Sequence, residues 1–266
     1  MITCGLDIGA GTVKVALMED GNKVIASDFI KTAGKPQQSS ESLLNRTLKE
    51  QGLKRNDVNY LSTTGFSRYL FPERDLQLSD ITTNARGAIF IFPNTVTILD
   101  VGTQSSRAIS VLPKGKVKSF RFTEKCAAGA GRFIERCSKY LQIPMDEMSQ
   151  IALDAEDPQM ISSVCAVLAE TEIINLIATE KKINDIVSGV FLSIADRTTT
   201  LLKRVGLKPE LTLTGGLVKN PGFIEALEKR TNMKVQSDPL GHFAGALGAA
   251  ILSHRRVQIL ETEQLN

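Results

Sequence analysis

Residues 3–29 read TCGLDIGAGTVKVALMEDGNKVIASDF, and residues 95–122 repeat the pattern as TVTILDVGTQSSRAISVLPKGKVKSFRF. At an offset of 93 residues, five pairs of positions match: Asp7 and Asp100, Gly9 and Gly102, Thr12 and Ser105, Lys14 and Arg107, and Val24 and Val117. Each copy has the pattern of an apolar strand, a D-x-G turn, a second apolar strand, a glycine turn and a third strand. The chain therefore contains a duplicated strand–turn–strand unit.

A second match follows each copy in the same order. GLKRNDVNYLSTTG (52–65) ends with a strand that runs into Thr-Thr-Gly, and GLKPELTLTGG (206–216) ends with one that runs into Thr-Gly-Gly. Each follows a predicted helix, at residues 40–51 and 184–205. Because strands and helices alternate in both halves, we predict an α/β fold made of two duplicated domains around a cleft.

The D-x-G turns indicate a phosphate ligand. One such turn alone is common, since Asp and Gly favour turns for local reasons. Two D-x-G turns, both at the ends of buried strands, are harder to explain by local turn preference. Ligands of open α/β sheets bind beyond the carboxyl ends of strands, which is where both turns would lie. Mg²⁺ prefers carboxylates, water and phosphate oxygens, and glycines let backbone N–H groups approach phosphates closely.

Composition excludes several classes of protein. The chain has 266 residues, 42% of them hydrophobic, with a net charge of +3, 5% aromatic residues and no Trp. Its cations are scattered among acids, so we expect no nucleic-acid partner. The N-terminus has no signal-peptide pattern, and no apolar stretch approaches the roughly 18 residues that span a bilayer. We expect a cytoplasmic protein, away from membranes, whose four cysteines are thiols or metal ligands.

Two cysteines lie at the N-termini of predicted helices. Cys126, in KCAAGAGRF, lies before a glycine-rich helix start, and Cys165, in SSVCAVLAE, falls in the first turn of a long helix that Ser162 or Ser163 would cap. Helix N-termini stabilise thiolates and anionic clusters. Cysteines in apolar helices are also often buried as small hydrophobic residues, which is our interpretation of Cys4 and Cys137. For Cys126 and Cys165, position alone leaves both interpretations open.

The phosphate-binding pattern resembles that of a known superfamily. Asp7-x-Gly9-x-Gly11-Thr12 and Asp100-x-Gly102 look like the two phosphate loops of actin, the heat-shock chaperone ATPases and sugar kinases, and LTGG at 213–216 looks like their adenosine motif. The resemblance implies an ATP site in the cleft, with Asp7 and Asp100 as catalytic residues that hold hydrated Mg²⁺ or orient the attacking water. The other implied nucleotide-binding residues are Gly9, Gly11, Thr12, Lys14, Gly102, Gln104, Gly215 and Gly216.

The cysteine segments resemble a narrower group. KCAAGAGRFIE and SSVCAVLAETEIINL are similar to the ATPase components of 2-hydroxyacyl-CoA dehydratase activation and of ATP-dependent benzoyl-CoA reductase, and the resemblance spans residue 3 to about residue 253. It implies a [4Fe-4S] cluster shared between two chains, with Cys126 and Cys165 as ligands from each. The implied partners are an identical chain or a sister ATPase subunit, catalytic acyl-CoA reductase or dehydratase subunits, and a ferredoxin-like electron donor.

The second phosphate loop points to one branch of this group. It reads Asp100-Val-Gly-Thr-Gln-Ser105, whereas dehydratase activators typically have D-x-G-G-Q-D, and TTNARGA at 82–88 looks closer to the delta subunit of benzoyl-CoA reductase. We therefore interpret the chain as an ATP-hydrolysing electron-transfer subunit for reduction of an aromatic acyl-CoA. The alternatives are a homodimeric dehydratase activator, an amino-sugar or other small-molecule kinase, and an ATP-binding regulatory subunit without redox chemistry.

The repeat also predicts the domain organisation. We expect a first ATPase subdomain at 1–93 and a second at 94–250, which carries the second phosphate loop, the cluster cysteines and the adenosine motif. Residues 251–266 are expected to form a C-terminal helix that packs on the first subdomain.

Overall fold

The computed structural model describes residues 1–123, 131–162 and 166–264. Its strands are β1 Ile2–Ile8, β2 Thr12–Glu19, β3 Lys23–Lys31, β4 Tyr60–Thr64, β5 Leu76–Gln77, β6 Thr97–Val101, β7 Ser106–Leu112, β8 Lys116–Phe122, β9 Leu211–Gly215 and β10 Val235–Gln236. Its α-helices are α1 Pro36–Glu50, α2 Asp80–Ile91, α3 Gly131–Leu141, α4 Met148–Leu153, α5 Ala166–Ala178, α6 Ile183–Val205, α7 Pro221–Thr231 and α8 Ala244–Gln264.

Two five-stranded sheets repeat one topology. The first has the order β3-β2-β1-β4-β5, and the second, in the corresponding direction, has the order β8-β7-β6-β9-β10. The central strand β1 is antiparallel to β2 and parallel to β4. Its counterpart β6 is antiparallel to β7 and parallel to β9. The predicted duplication of an α/β unit is therefore confirmed at the level of strand order and direction.

The chain folds into two compact units that interleave along the sequence. The first comprises Met1–Asn94, Val111–Lys118 and Pro239–Asn266, and the second comprises Thr95–Ser110 and Ser119–Asp238. The domain boundaries that the repeat predicts, 1–93, 94–250 and 251–266, stay a prediction about functional domains. Helix α8 begins at Ala244, earlier than the expected residue 251, and belongs to the first unit.

The first unit buries both faces of its sheet. Along β2, Val13, Val15 and Leu17 belong to the cluster that contains Leu43, Leu44 and Leu48 of α1. The intervening residues Ala16 and Met18 pack in a second cluster with Ala246, Leu247 and Ala250 of α8. Since successive side chains of a strand point to opposite faces, α1 and α8 cover opposite sides of this sheet.

The second unit has one large core. Helix α6 contributes a long buried stripe that includes Ile186, Val190, Ile194 and Leu201, and it packs with residues of β6, β9 and α7. The helix ends at Gly206, whose φ of 82° is the left-handed conformation typical of a glycine that terminates a helix. The helix predicted at 184–205 is thus confirmed. Among the described residues, no helix combines the length and the hydropathy that a membrane span requires.

Helices α2 and α8 approach so closely that glycine is required at their contact. A Cβ atom added at Gly248 would lie 1.8 Å from the backbone oxygen of Thr83, and one at Gly87 would lie 1.9 Å from that of Ala244. Both obstacles are backbone atoms, which cannot rotate away as a side chain can. The two helices can therefore keep their packing only with glycine at these positions.

Gly248→Ala is expected to lower the free energy of unfolding by about 3 kcal/mol, because the helices must separate to admit the methyl group. Chemical denaturation followed by circular dichroism measures the change. Gln258→Ala, at an exposed position of the same helix, is the control and should be nearly neutral. Equal stability of the two variants would contradict the close packing.

Candidate functional site

Asp7 forms an ion pair at the carboxyl end of β1. It lies opposite Lys14 of β2 and Thr64 of β4 in the strand registers. Lys14 Nζ is 3.2 Å from Asp7 Oδ2, and the two side chains are only 11% and 16% exposed. A lysine ammonium is thereby held against the carboxylate at the edge of the sheet where ligands of α/β proteins bind.

Asp100 repeats this arrangement in the second unit. It lies opposite Arg107 of β7 and Thr214 of β9. Arg107 Nη1 is 2.8 Å from Asp100 Oδ2, and Thr214 Oγ1 donates a hydrogen bond of 3.2 Å to Asp100 Oδ1. The carboxylate is 8% exposed. The sequence repeat aligned Arg107 with Lys14, but the predicted site did not include Arg107.

The two D-x-G turns have the same backbone geometry. The Gly9 N–H donates to the Thr12 carbonyl oxygen at 3.0 Å, and the Gly102 N–H donates to that of Ser105, also at 3.0 Å. A Cβ atom at Gly9 would lie 2.7 Å from the Thr12 oxygen. The turn is therefore too tight for a side chain there. Gly11 and Gln104 lie in these turns, and Gln104 is exposed.

A second glycine contacts each carboxylate. Gly65, after β4, has a φ of 89°, and Gly215, at the end of β9, has a φ of 90°. A Cβ atom at Gly65 would lie 2.4 Å from Asp7 Oδ1, and one at Gly215 would lie 2.8 Å from Asp100 Oδ1. Both positions thus require glycine for conformation and for space.

Two glycines that approach Asp7, Gly65 and Gly245, were missing from the predicted site. Gly215 was predicted through its similarity to an adenosine motif, and Gly216 follows it as an exposed residue whose N–H donates to the Val101 oxygen at 2.8 Å. Gly65 was missed, although its Thr-Thr-Gly segment matched Thr-Gly-Gly in the sequence. Gly245 of α8 was missed too, and a Cβ atom there would lie 3.1 Å from Asp7 Oδ2.

The structure therefore gathers the predicted nucleotide residues into two sets. Within the first unit, the turn with Gly9, Gly11 and Thr12 adjoins the Asp7–Lys14 pair. Within the second unit, the turn with Gly102 and Gln104 adjoins the contact between Asp100 and Gly215, which precedes Gly216. Each set combines a nearly buried carboxylate, a cation and glycine turns at strand ends. These are groups suited to Mg²⁺ and phosphate.

Helix α3 begins on the second D-x-G turn. The Gly131 N–H donates to the Gly102 oxygen at 2.9 Å, and the Arg132 N–H donates to the Thr103 oxygen at 3.0 Å. At the end of β8, the Thr123 N–H donates to the Ser106 carbonyl oxygen at 2.9 Å, and the Ser106 N–H donates to the Thr123 hydroxyl oxygen at 3.0 Å. The residues on both sides of 124–130 are therefore hydrogen-bonded to this turn or to Ser106, which follows it.

The predicted cluster ligands Cys126 and Cys165 lie outside the described residues. Cys4 and Cys137 are buried free thiols, and burial raises the pKa of each to about 12. A thiol with so high a pKa is protonated at neutral pH and is a poor metal ligand. This fits the interpretation of both as packing residues. Within 1–123, 131–162 and 166–264, no group of three or more His, Cys, Asp and Glu residues is placed to hold a metal ion.

Comparisons with known proteins agree with the duplicated fold. An activator of lactoyl-CoA dehydratase from Anaerotignum propionicum is 35% identical over 258 residues, or 97% of this chain and 99% of that protein. A benzoyl-CoA reductase subunit from Thauera aromatica is 35% identical over 278 residues, or 99% of this chain and 98% of that protein. The solved activator of 2-hydroxyisocaproyl-CoA dehydratase from Clostridium difficile, with bound ADPNP, is 32% identical, has a TM-score of 0.94, and covers 99% of this chain and 98% of its own.

The similarity extends to a whole protein family. The profile of the BadF/BadG/BcrA/BcrD ATPase family matches residues 4–253, which include both D-x-G turns. The fold is accordingly the actin/sugar-kinase-like ATPase fold, with two α/β sheets. This chain belongs to the BadF/BadG/BcrA/BcrD ATPase family.

Proposed function

We propose that this chain is an ATP-hydrolysing electron-transfer component that activates a partner enzyme acting on an acyl-CoA substrate. The observation that carries the proposal is the repeated carboxylate, cation and glycine arrangement around Asp7 and Asp100. Similarity over nearly the whole chain to a dehydratase activator and to a component of benzoyl-CoA reductase supports it. The proposal includes Mg²⁺ as the ion that accompanies ATP.

The residues of the two D-x-G turns fit magnesium and a nucleotide. Each carboxylate has one oxygen against a cation, from Lys14 or Arg107, which fixes the orientation of the group at the strand end. The carboxylates would hold hydrated Mg²⁺ and orient the attacking water. The N–H groups of Gly9 and Gly102 already donate within the turns, so other backbone N–H groups of the turns would donate to phosphate oxygens, and Lys14 would offset phosphate charge. Catalysis then depends mainly on positioning and electrostatic stabilisation.

The redox part of the proposal depends on Cys126 and Cys165 as cluster ligands. A [4Fe-4S] cluster held by these two residues from each of two chains would supply one-electron transfer at low potential. ATP can drive such a transfer only if its binding or hydrolysis favours one conformation over another. The hydrogen bonds from Gly131 and Arg132 to Gly102 and Thr103 offer a direct connection, because they join the second phosphate loop to the helix that follows the Cys126 segment.

The partners follow from the same proposal. The second chain would be an identical copy or a sister ATPase subunit, and a ferredoxin-like protein would donate the electron. The receiving subunits would belong to a 2-hydroxyacyl-CoA dehydratase or a benzoyl-CoA reductase, and relatives of both kinds are 35% identical to this chain. The loop Asp100–Ser105 is the feature that favours the reductase type, because its sequence lacks the second glycine and the second aspartate typical of activators.

We expect the anaerobically purified protein to contain iron and sulfide, to hydrolyse Mg-ATP without a sugar acceptor, and to restore activity to catalytic subunits that lack their ATPase. The assay combines the chain, ATP and a reduced ferredoxin with a benzoyl-CoA reductase from which the homologous ATPase subunit has been removed. A parallel mixture contains a dehydratase deprived of its activator. Product formation in either mixture identifies the partner class.

Two results would contradict the proposal. An iron-free protein that phosphorylates an amino sugar stoichiometrically with ATP consumption would be a kinase of the same fold. An iron-free protein that binds ATP without turnover would be a regulatory subunit. Heat-treated protein and protein without ATP are the controls for the complementation assay.

A further inference from the structure

Strand β8 and the turn before it form a strongly basic segment. Residues 111–123 read VLPKGKVKSFRFT and contain four cations, Lys114, Lys116, Lys118 and Arg121, with no Asp or Glu. All four cations are exposed. The net charge of the whole chain is only +3, so this concentration of positive charge is local and not a property of the surface in general.

Two phenylalanines extend the basic segment. Phe120 is 42% exposed and Phe122 is 55% exposed. Their rings stack, with centroids 6.4 Å apart and planes inclined by 14°. Because alternate residues of a strand share a face, these rings lie on the same face of β8 as Lys116 and Lys118. Aromatic residues are enriched at protein-binding surfaces, so this exposed phenylalanine pair is a candidate contact.

The strand also lies at a sheet edge. It is the terminal strand in the order β8-β7-β6-β9-β10, and within the described chain its sheet neighbour is β7. Lysines on edge strands discourage pairing with a strand of another chain. The exposed face, which carries Lys116, Lys118, Phe120 and Phe122, is therefore better suited to side-chain contacts than to strand addition.

Further positive charge adjoins the start of β8. Arg86 of α2 donates a hydrogen bond from Nη1 to the Lys114 carbonyl oxygen. Partial burial, and then the nearby charge of Arg255, lower the pKa of Arg86. Arg86 and Arg255 therefore add positive charge near the turn that precedes β8.

We infer that the β8 surface, defined as Lys116, Lys118, Phe120 and Phe122, docks a small acidic electron-carrier protein. The inference rests on the proposed electron-transfer function, since that function requires a donor. Phe122 is four residues from Cys126, and four residues span at most roughly 14 Å of extended chain. A donor on this surface would thus approach the predicted redox segment closely.

Two other occupants fit less well. A second copy of this chain on the same surface would place Lys116 and Lys118 against identical lysines, because a two-fold contact presents the same patch from both sides. A nucleic acid would match the charge, but binding proteins of that kind usually have a more extended basic surface. An acidic protein matches both the cations and the apolar phenylalanine pair.

The experiment measures binding of an acidic two-cluster ferredoxin to the purified protein by isothermal titration calorimetry. At low ionic strength, Lys116→Glu combined with Lys118→Glu should raise the dissociation constant at least about tenfold. The difference should shrink as salt screens the charges. Lys49→Glu combined with Lys181→Glu makes the same change of net charge at exposed positions elsewhere and should leave the affinity nearly unchanged.

A second variant separates charge from apolar contact. Phe120→Ser combined with Phe122→Ser should weaken ferredoxin binding by about tenfold at both low and high salt, because burial of apolar surface is not screened. Both phenylalanines are already exposed, so the fold should survive, as circular dichroism will verify.

The outcomes distinguish this inference from the proposed function. Unchanged ferredoxin affinity in both double variants, or tighter binding of a single-stranded oligonucleotide than of ferredoxin, overturns the docking surface. An iron-free wild-type protein contradicts the redox function, while the calorimetric comparison still decides whether an acidic protein docks on β8.

Discussion

Asp100→Asn is expected to slow ATP hydrolysis by roughly two to three orders of magnitude and to change nucleotide affinity much less. Asparagine keeps the shape of the side chain and can still accept from Thr214, but it removes the charge that faces Arg107. Asp7→Asn should have a similar effect, because Lys14 loses its partner in the equivalent turn. Steady-state phosphate release and equilibrium binding of an ATP analogue measure the two quantities separately.

The matched control is Asp28→Asn. Asp28 also pairs with a cation, since Arg46 Nη2 lies 2.6 Å from its Oδ2, but this pair is on the surface. Loss of an exposed ion pair should cost at most about 1 kcal/mol of stability and should not affect turnover. Normal hydrolysis in both Asp7→Asn and Asp100→Asn would show that the D-x-G repeat is a structural turn and not a phosphate clamp.

Cys126→Ala or Cys165→Ala is expected to abolish iron binding. One chain offers two candidate ligands and a four-iron cluster takes four thiolates, so either change would halve the protein's own ligand set in the proposed dimer. We also expect the dimer to weaken, while ATP binding survives because neither cysteine is among the predicted nucleotide-binding residues. Iron and sulfide analysis, with sedimentation to determine oligomeric state, measures both effects.

Cys4→Ala and Cys137→Ala provide the controls. Both thiols are buried and their pKa values are raised to about 12, so their removal should cost some packing energy and leave the iron content intact. Full iron content after Cys165→Ala would refute the ligand assignment. Loss of iron in all four variants would instead indicate a general failure to fold, which circular dichroism would detect.

The local part of the candidate site could be predicted from sequence. The D-x-G turns are contiguous segments, and their repetition at a fixed offset pointed to Asp7 and Asp100 together. Gly65 and Gly245 were missed because strand pairing and helix packing bring them to Asp7 from distant parts of the chain. Gly65 arrives through the parallel pairing of β1 with β4, and Gly245 arrives through the start of α8.

The boundaries of α8 show a similar limit. Residues 244–250 read AGALGAA, which is rich in small residues and carries little amphipathic signal. Glycine is unfavourable inside a helix by about 1 kcal/mol relative to alanine. The structure nevertheless extends the helix through this stretch, because Gly248 and Gly87 allow α8 and α2 to approach closely. Tertiary packing of this kind cannot be inferred from local propensity.

The attachment of both flanks of residues 124–130 has a consequence for how this family can diverge. Thr123 is fixed to Ser106 at one end, and Gly131 and Arg132 are fixed to the second D-x-G turn at the other. Once the ends of a loop are fixed, even doubling its length costs only about 0.6 kcal/mol in closure entropy. Chain-closure entropy therefore penalises additional residues between these anchors very little. The predicted ligand Cys126 can therefore be gained or lost by change within a short segment, while the sheets that carry the D-x-G turns stay the same.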